Sequence, residues 1–326
     1  MLTNNENYLR VLNRQIPEEI PLARYAMVMP GPLRKNRNPD LSGFDYFGVE
    51  YVVSKESGFS MGFIPKPGCF MIDDITKWRD IVKIPDWSDV DWEQAAKDDL
   101  AKYDRSKMLI MPDSVTGFFH GLINFMGFTE GLLACYEYPE EVKDMMETIC
   151  DYQIGVAKNI IKYYKPDCLW LPDDICTARA PFVSKEMFEE LFMPSWKRYV
   201  EVFTDAGIPS QLHCCGAADP LIDDFVECNF ASWEAQPQND FKRLKEKHGN
   251  KLAVVGGFST AALMDPEKTE EEVRESVRSW LKMIASDGGY VWMGTGFMMR
   301  EQDPVKKEHI RWISEEFDGL KRSLYA

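Results

Sequence analysis

The chain has 326 residues, 45% of them hydrophobic, which is enough to bury a large core and unlike a disordered composition. Lysine and arginine number 38 against 53 aspartate and glutamate residues, so the net charge is −15. This acidity excludes nucleic-acid binding through a basic face, and it disfavours anionic membranes. Since no apolar run approaches the roughly 20 residues that span a bilayer, we predict neither a nucleic-acid nor a membrane partner.

The N-terminal segment and the cysteines both indicate the cytoplasm. Residues 1–21 are polar and lack the apolar stretch of a signal peptide. The eight cysteines are scattered through mostly apolar surroundings, which is typical of reduced thiols and not of a disulfide framework. We therefore expect a cytoplasmic protein. Its oligomeric state stays open, with a homodimer among the alternatives.

Predicted strands and helices alternate along the chain. Residues 20–28 are typical of a first strand, and residues 31–106 of an elaborated loop or lid region rich in glycine, proline and aromatic residues. The helix predicted at 184–207 is expected to bend at Pro194. Six later strands begin with apolar residues and end in polar residues, glycine or proline: 107–114, 167–174, 208–215, 230–237, 251–259 and 289–296.

This alternation predicts the fold class. Strands separated by helices form parallel sheets with right-handed crossovers. Seven or eight such units in one chain favour a single (β/α)8 TIM barrel over an open sheet, so we predict one domain over residues 1–326. In such a barrel, functional groups collect at the carboxyl ends of the strands.

Polar residues with acid, base or ligand capacity stand at the predicted strand ends. They are Asp113 and Ser114, Asp173 and Asp174, His213 and Cys215, Glu234, and Thr295. We expect a cleft at this rim, with Asp113, Asp174 and Glu234 as catalytic candidates. The other two histidines near the C-terminal half, His248 and His309, lie in charged helical segments and are expected on the surface.

The segment "QLHCCG" (211–216) raises the question of a metal site. Strand side chains alternate between faces, so His213 and Cys215 point one way and Cys214 the other. Imidazole and thiolate on one side of a strand suit zinc. The alternative, equally compatible with so short a spacing, is a buried histidine beside two small apolar thiols.

The acids at two of these strand ends have alternative interpretations. The Asp173–Asp174 pair is more typical of a cap or a solvated turn than of a catalytic site. Glu234, between Trp233 and Ala235 on an apolar strand end, is a candidate for a general acid or a metal ligand because desolvation raises the pKa of a carboxyl group.

Four segments resemble the uroporphyrinogen decarboxylase superfamily, and within it the cobamide-dependent methyltransferases. They are residues 6–21, 117–146, 167–216 and 265–296, of which 167–216 is the most specific. The resemblance implies a (β/α)8 barrel. It also separates the branches, since the decarboxylases carry a paired-arginine N-terminal motif where this chain has Arg24 alone. The methyltransferases carry a His-x-Cys-Gly motif, which His213, Cys215 and Gly216 match.

The resemblance implies a zinc site with an unusual third ligand. Thiol-methylating members complete their zinc site with a late cysteine, but this sequence has no cysteine beyond Cys228. We therefore predict zinc held by His213 and Cys215, with Glu234 as the first candidate for third ligand. The alternatives are an acid at another strand end and a site without metal.

The resemblance also implies the reaction and its partners. We expect transfer of a methyl group from a small methoxylated, aromatic donor to cob(I)alamin. Since no B12-binding module is recognisable in the sequence, the cobalamin would arrive on a separate corrinoid protein. Alternatives are a methylcobamide:thiol methyltransferase with a zinc-activated thiolate, and a non-catalytic barrel that binds a corrinoid or tetrapyrrole.

Overall fold

A computed structural model describes residues 1–53, 63–113, 116–259, 265–294 and 303–325. Two of the predicted rim residues, Ser114 and Thr295, lie outside these ranges. The parallel strands, in chain order, are β1 (Tyr25–Val28), β5 (Leu109–Pro112), β6 (Leu169–Pro172), β7 (Ser210–His213), β8 (Ser232–Ala235), β9 (Ala253–Gly256) and β10 (Tyr290–Val291). Strands β2 (Gly43–Phe44), β3 (Glu50–Val53) and β4 (Phe63–Pro65) form a separate antiparallel sheet, which we call the N-terminal sheet.

Helices connect these strands. They are α1 (Asn4–Leu12), α2 (Trp78–Ile81), α3 (Trp92–Leu100), α4 (Phe118–Met126), α5 (Phe128–Glu137), α6 (Pro139–Asn159), α7 (Lys185–Leu191), α8 (Met193–Asp205), α9 (Ile222–Glu227), α10 (Phe241–His248), α11 (Glu270–Ile284) and α12 (Pro304–Leu320). None of these described helices combines the length and apolarity that crossing a bilayer requires.

The parallel strands have the order expected of a TIM barrel. Strands β6 to β10 pair consecutively, and β1 pairs with β5. A parallel bridge between Leu22 and Trp292 connects the start of β1 to the end of β10. On the other edge, the Asp167 N–H donates to the Ile110 carbonyl, 2.9 Å away. The predicted fold class is confirmed, with seven parallel strands among the described residues.

Alternating side chains divide the core into two hydrophobic clusters. Leu109, Met111, Val255 and Val291 face inward, where they pack with Tyr8 and other residues of α1. Their neighbours Ile110, Val254 and Tyr290 belong to the larger cluster beneath the helices. This period of two also places Gln211 inside, because its Oε1 accepts a hydrogen bond from the Tyr8 hydroxyl at 2.8 Å.

Three local predictions differ from the structure. The helix predicted at 184–207 is two helices, and Pro194 lies in the first turn of α8, where no hydrogen-bonded N–H is needed. The lid region contains the N-terminal sheet and two short helices. His309 is only 1% exposed, 5.0 Å from the Trp312 ring, because it lies on the inner face of α12.

Candidate active site at the strand ends

The register of neighbouring strands brings the predicted residues to one rim. Pro172 of β6 pairs with His213 of β7, and His213 pairs with Glu234 of β8. Asp174 follows β6 by two residues. Asp113 directly follows β5, where its N–H donates to the Val28 carbonyl at 3.0 Å. Parallel strands in this register end at the same face of a barrel, where catalytic groups gather.

Three side chains form a group with the spacing of metal ligands. The ligand atoms of Asp174, His213 and Cys215 all lie within 4.8 Å of one another. His213 Nε2 is 3.5 Å from Cys215 Sγ and 3.8 Å from Asp174 Oδ1. The Cys215 N–H donates to Asp174 Oδ1 at 2.6 Å, which fixes the carboxylate beside the thiol. We call these three residues the ligand group.

Glu234 lies on the other nitrogen of the same imidazole. Its Oε2 is 2.9 Å from His213 Nδ1 and also accepts from Trp170 Nε1 at 3.1 Å. Its Oε1 accepts from the Tyr25 hydroxyl at 3.0 Å. An ionised carboxylate only accepts, so it holds the proton on Nδ1 and directs Nε2 toward the ligand group.

The structure places Glu234 outside the ligand group, and its assignment as third metal ligand stays a prediction. Glu234 contacts the imidazole nitrogen that faces away from Cys215. Asp174, which was predicted as a catalytic acid, takes the third position of the ligand group.

The imidazole and the Glu234 carboxylate are electrostatically matched. Burial lowers the pKa of His213, but its contacts with Cys215, Glu234 and Asp174 outweigh burial and hold that pKa well above its ordinary value. Burial raises the pKa of Glu234, yet hydrogen bonds from His213, Trp170 and Tyr25 leave that pKa below its usual range. Without a metal, the two groups form an imidazolium–carboxylate pair.

Asp113 has a different environment from the other acids. Burial raises the pKa of its carboxyl to about 6, although the positive charges of Arg37 and His213 act in the opposite direction. A carboxyl with this pKa can hold a proton near neutral pH and donate it to a reacting group.

Comparison with known proteins assigns the chain to a family. Residues 116–309, more than half of the chain, match the sequence model of the uroporphyrinogen decarboxylase (URO-D) family. The chain belongs to this family. The matched region contains the whole ligand group and Glu234.

A solved structure with the same architecture supports the fold of this family member. The methyltransferase from Methanosarcina mazei aligns over 98% of this chain and 99% of its own length, with a TM-score of 0.60 and 13% sequence identity. At this identity the likeness concerns the fold. No curated protein sequence matches the chain.

Arg24, the lone arginine of residues 21–32, lies away from the candidate active site. Arg24 is exposed and directly precedes β1. Its carbonyl accepts the Leu109 N–H at the start of β5, 3.1 Å away. Arg24 therefore lies at the opposite end of the strands from Asp113 and His213.

The glycine after the cysteine pair allows the loop to turn beside the ligand group. Gly216 has a φ of +97°, and a Cβ there would lie 2.4 Å from the Thr177 carbonyl oxygen. Its carbonyl accepts from Asn239 Nδ2 at 2.9 Å, and its N–H donates to Gln236 Oε1 at 3.1 Å. Cys214 is fully buried beneath the strand, so its side chain lies away from His213, as the alternation predicts.

The two neighbouring aspartates have separate roles. Asp173 is fully buried and accepts the N–H groups of Phe119 and His120 at 3.0 and 2.9 Å, in the first turn of α4. It also accepts from Trp196 Nε1 at 2.9 Å. Asp173 therefore caps α4 and joins it to α8, whereas Asp174 belongs to the ligand group.

Sequence reasoning missed two residues that contact Glu234: Tyr25 and Trp170. Aromatic residues of predicted strands were assigned to the core. The available signal was strand parity, because Tyr25 pairs with Leu109 and Trp170 with Gln211, and both partners face the barrel interior.

Proposed function

We propose that this chain transfers a methyl group from a small methoxylated aromatic compound to cob(I)alamin carried by a partner corrinoid protein. The observation that carries the proposal is the ligand group at the rim, with its single thiol. The name of the structurally similar Methanosarcina mazei protein supports methyl transfer. Cys215 and Gly216 of the His-x-Cys-Gly motif support the methyltransferase branch over the decarboxylases.

The donor set fits zinc. Asp174, His213 and Cys215 offer oxygen, nitrogen and sulfur at mutual distances that one ion can bridge. Glu234 supplies the carboxylate partner that ligating histidines ordinarily have on their other nitrogen. Zinc held by these three residues would act as a Lewis acid for the oxygen that loses its methyl group.

The reaction requires a proton at the ether oxygen. The methyl carbon leaves oxygen as its bond to cobalt forms, and the cobalt electron pair makes the new bond. The ether electron pair stays on oxygen, which would otherwise leave as a phenolate, whose conjugate acid has a pKa of about 10. Protonated Asp113 supplies the proton, so a neutral phenol departs. Glu234 holds the orientation of His213, and Asp174 and Cys215 complete the metal site.

The proposal is tested with purified protein, cob(I)alamin on a corrinoid protein, and three donor classes: methoxyarenes, methylamines and methyl thiols. We expect methylcobalamin, followed by its absorbance, from methoxyarenes. Formation only from amines or thiols would overturn the donor class. Tight corrinoid binding without turnover of any donor, or decarboxylation of a porphyrinogen, would overturn the reaction.

Variants of the motif give the matched controls. His213→Ala and Cys215→Ala should lose stoichiometric zinc and lower the methyl-transfer rate by about 10²–10³. Cys214→Ala changes the adjacent thiol, which points away from His213, and should keep both zinc and rate. A zinc-free His213→Ala protein with full activity would contradict the assignment.

A further inference from the structure

Helix α5 has two apolar sides. The side with Ala134 and Cys135 is buried. The opposite side carries large apolar residues at helical spacing: Phe128, Leu132, Leu133 and Tyr136. Tyr136 is 65% exposed, and Phe128 and Leu133 are each 46% exposed. Three of the eleven large hydrophobic side chains that are exposed in the described part of the chain therefore lie on one 10-residue helix. We call this side the α5 face, and such a cluster is typical of an interaction surface.

The α5 face begins beside the loop that follows β6. The Phe128 ring is 4.7 Å from the ring of Phe182, which also stacks on Phe119 of α4 at 5.6 Å. The Phe182 N–H donates to the carbonyl of Ile175 at 2.9 Å. Ile175 directly follows Asp174 in the chain. These contacts join the apolar surface to the loop that carries Asp174 of the ligand group.

Carboxylates border the α5 face on one edge. Glu130 and Glu137 are neighbours of Leu133 on the helix surface, since they precede it by three positions and follow it by four. Both are exposed, and in the described part of the chain no ion pair joins either of them to a lysine, arginine or histidine, whereas Glu141 of α6 pairs with Arg79 at 2.5 Å. Their negative charge is therefore available to a partner with a basic edge.

A second copy of this chain does not match that edge. Each copy has a net charge of −15. In a two-fold pair with antiparallel α5 helices, the same edge of both helices meets, so Glu130 and Glu137 of one copy face those of the other. Like charges juxtaposed across an interface oppose binding. The charges of the α5 face therefore favour a different protein, one with an apolar patch bordered by lysine or arginine.

We infer that the α5 face docks the corrinoid protein. This inference rests on the proposed function and names the surface that receives its partner. The cobalt must reach the methyl group at the rim, so the partner must cover the rim and contact the surfaces beside it. The α5 face adjoins the loop of Asp174 and offers tyrosine and phenylalanine, which are enriched in protein interfaces. Its carboxylates would orient the partner before the apolar contacts form.

The test measures binding of the purified protein to a corrinoid protein in the cob(II)alamin state, which needs no methyl donor. Tyr136→Ala should lower the affinity about 10-fold, as expected for an aromatic residue of an interface. Glu137→Lys should lower the association rate and its dependence on salt. Ile16→Ala and Asp205→Lys are the matched controls, because these exposed residues precede β1 and β7 at the opposite end of the strands. Both controls should keep the wild-type affinity.

Methyl transfer to two acceptors separates docking from the reaction. With free cob(I)alamin, Tyr136→Ala and Glu137→Lys should keep the wild-type rate, whereas their KM for the corrinoid protein should rise about 10-fold. Equal affinity of the wild type and both variants, or no wild-type complex, would overturn the inference, while transfer to free cob(I)alamin would leave the proposed reaction standing. A complex weakened only by the α5 variants would support the inference even if no donor is demethylated. A wild-type homodimer that Tyr136→Ala converts to monomer, measured by sedimentation, would assign the face to a second copy and overturn it.

Discussion

The carboxyl groups of Glu234 and Asp113, both at the rim, differ in how many hydrogen bonds they accept from side chains of the described residues. Glu234 accepts hydrogen bonds from Tyr25, Trp170 and His213, and these hold the pKa of its carboxyl low despite burial. Among the described residues, Asp113 has no comparable set of side-chain donors, and burial raises its pKa to about 6. Pairs of acids whose environments separate their pKa values can divide the roles of permanent anion and proton donor.

The environment of Asp113 predicts the pH dependence of methyl transfer. At zinc concentrations that keep the metal site saturated, the protonated form of Asp113 donates, so activity should be highest below the pKa of about 6 and fall as the pH rises through it. Asp113→Asn should remove this descent and lower the rate below pH 6 by about 10², since an amide cannot transfer a proton. Single-turnover rates measured from about pH 5 to about pH 8 in one buffer series test both effects. If the rate of Asp113→Asn still falls as the pH rises, the pH dependence belongs to another group.

Helix α4 and the loop after β6 depend on each other. The Asp173 carboxylate satisfies two N–H groups in the first turn of α4, and Gly117 lets the backbone approach it, since a Cβ there would lie 2.4 Å from Asp173 Cγ. The indole of Trp196 ties the same carboxylate to α8. The position of Asp174, the next residue, is therefore fixed by helix capping.

The capping role predicts unequal effects of two adjacent substitutions. Asp173→Ala removes a helix cap and leaves the buried Trp196 indole unpaired, which should cost about 2–4 kcal/mol of unfolding free energy. Asp174→Ala loses one hydrogen bond, that from the Cys215 N–H, and should cost about 1 kcal/mol. Denaturant unfolding of metal-free protein gives the difference. Metal analysis should show the reverse order, with zinc lost in Asp174→Ala and kept in folded Asp173→Ala. Equal losses of stability would refute the cap assignment.

The barrel assembles the site from distant parts of the chain. Strands β6, β7 and β8 supply Asp174, His213 and Glu234, while Tyr25 reaches Glu234 from β1, 209 positions away in sequence. A ligand bound across such strands stabilises the folded state, because the unfolded chain does not hold its donors together.

Zinc should accordingly stabilise the whole molecule in a pH-dependent way. At a free concentration 100 times Kd, it should add about 2.7 kcal/mol to the unfolding free energy. The pKa of His213 is raised in the metal-free protein, so protons compete with zinc at Nε2 below that pKa, and the stabilisation should grow as the pH rises. The test is the difference in Tm between zinc-loaded and chelator-treated protein, measured at about pH 6 and at about pH 8. Glu234→Gln should weaken zinc affinity about 10- to 100-fold. An equal zinc-induced shift of Tm in His213→Ala would contradict the site.

Local periodicity determined much of this protein without a structure. The alternation of strands and helices predicted the barrel, and the period of two placed His213 and Cys215 on one face and Cys214 on the other. The motifs in 167–216 indicated the family that residues 116–309 confirm. These features depend on residues close in sequence, where backbone geometry fixes the direction of each side chain.

Tertiary structure alone decided which acid meets which atom. Asp174 lies near His213 Nε2 and Glu234 near Nδ1, because the register and twist of three strands, not their sequences, set the distances across the sheet. The same holds for Asp173, whose partners lie on α4 and α8. A side chain's partners depend on how elements pack, and that information is not contained in the spacing of residues along any one of them.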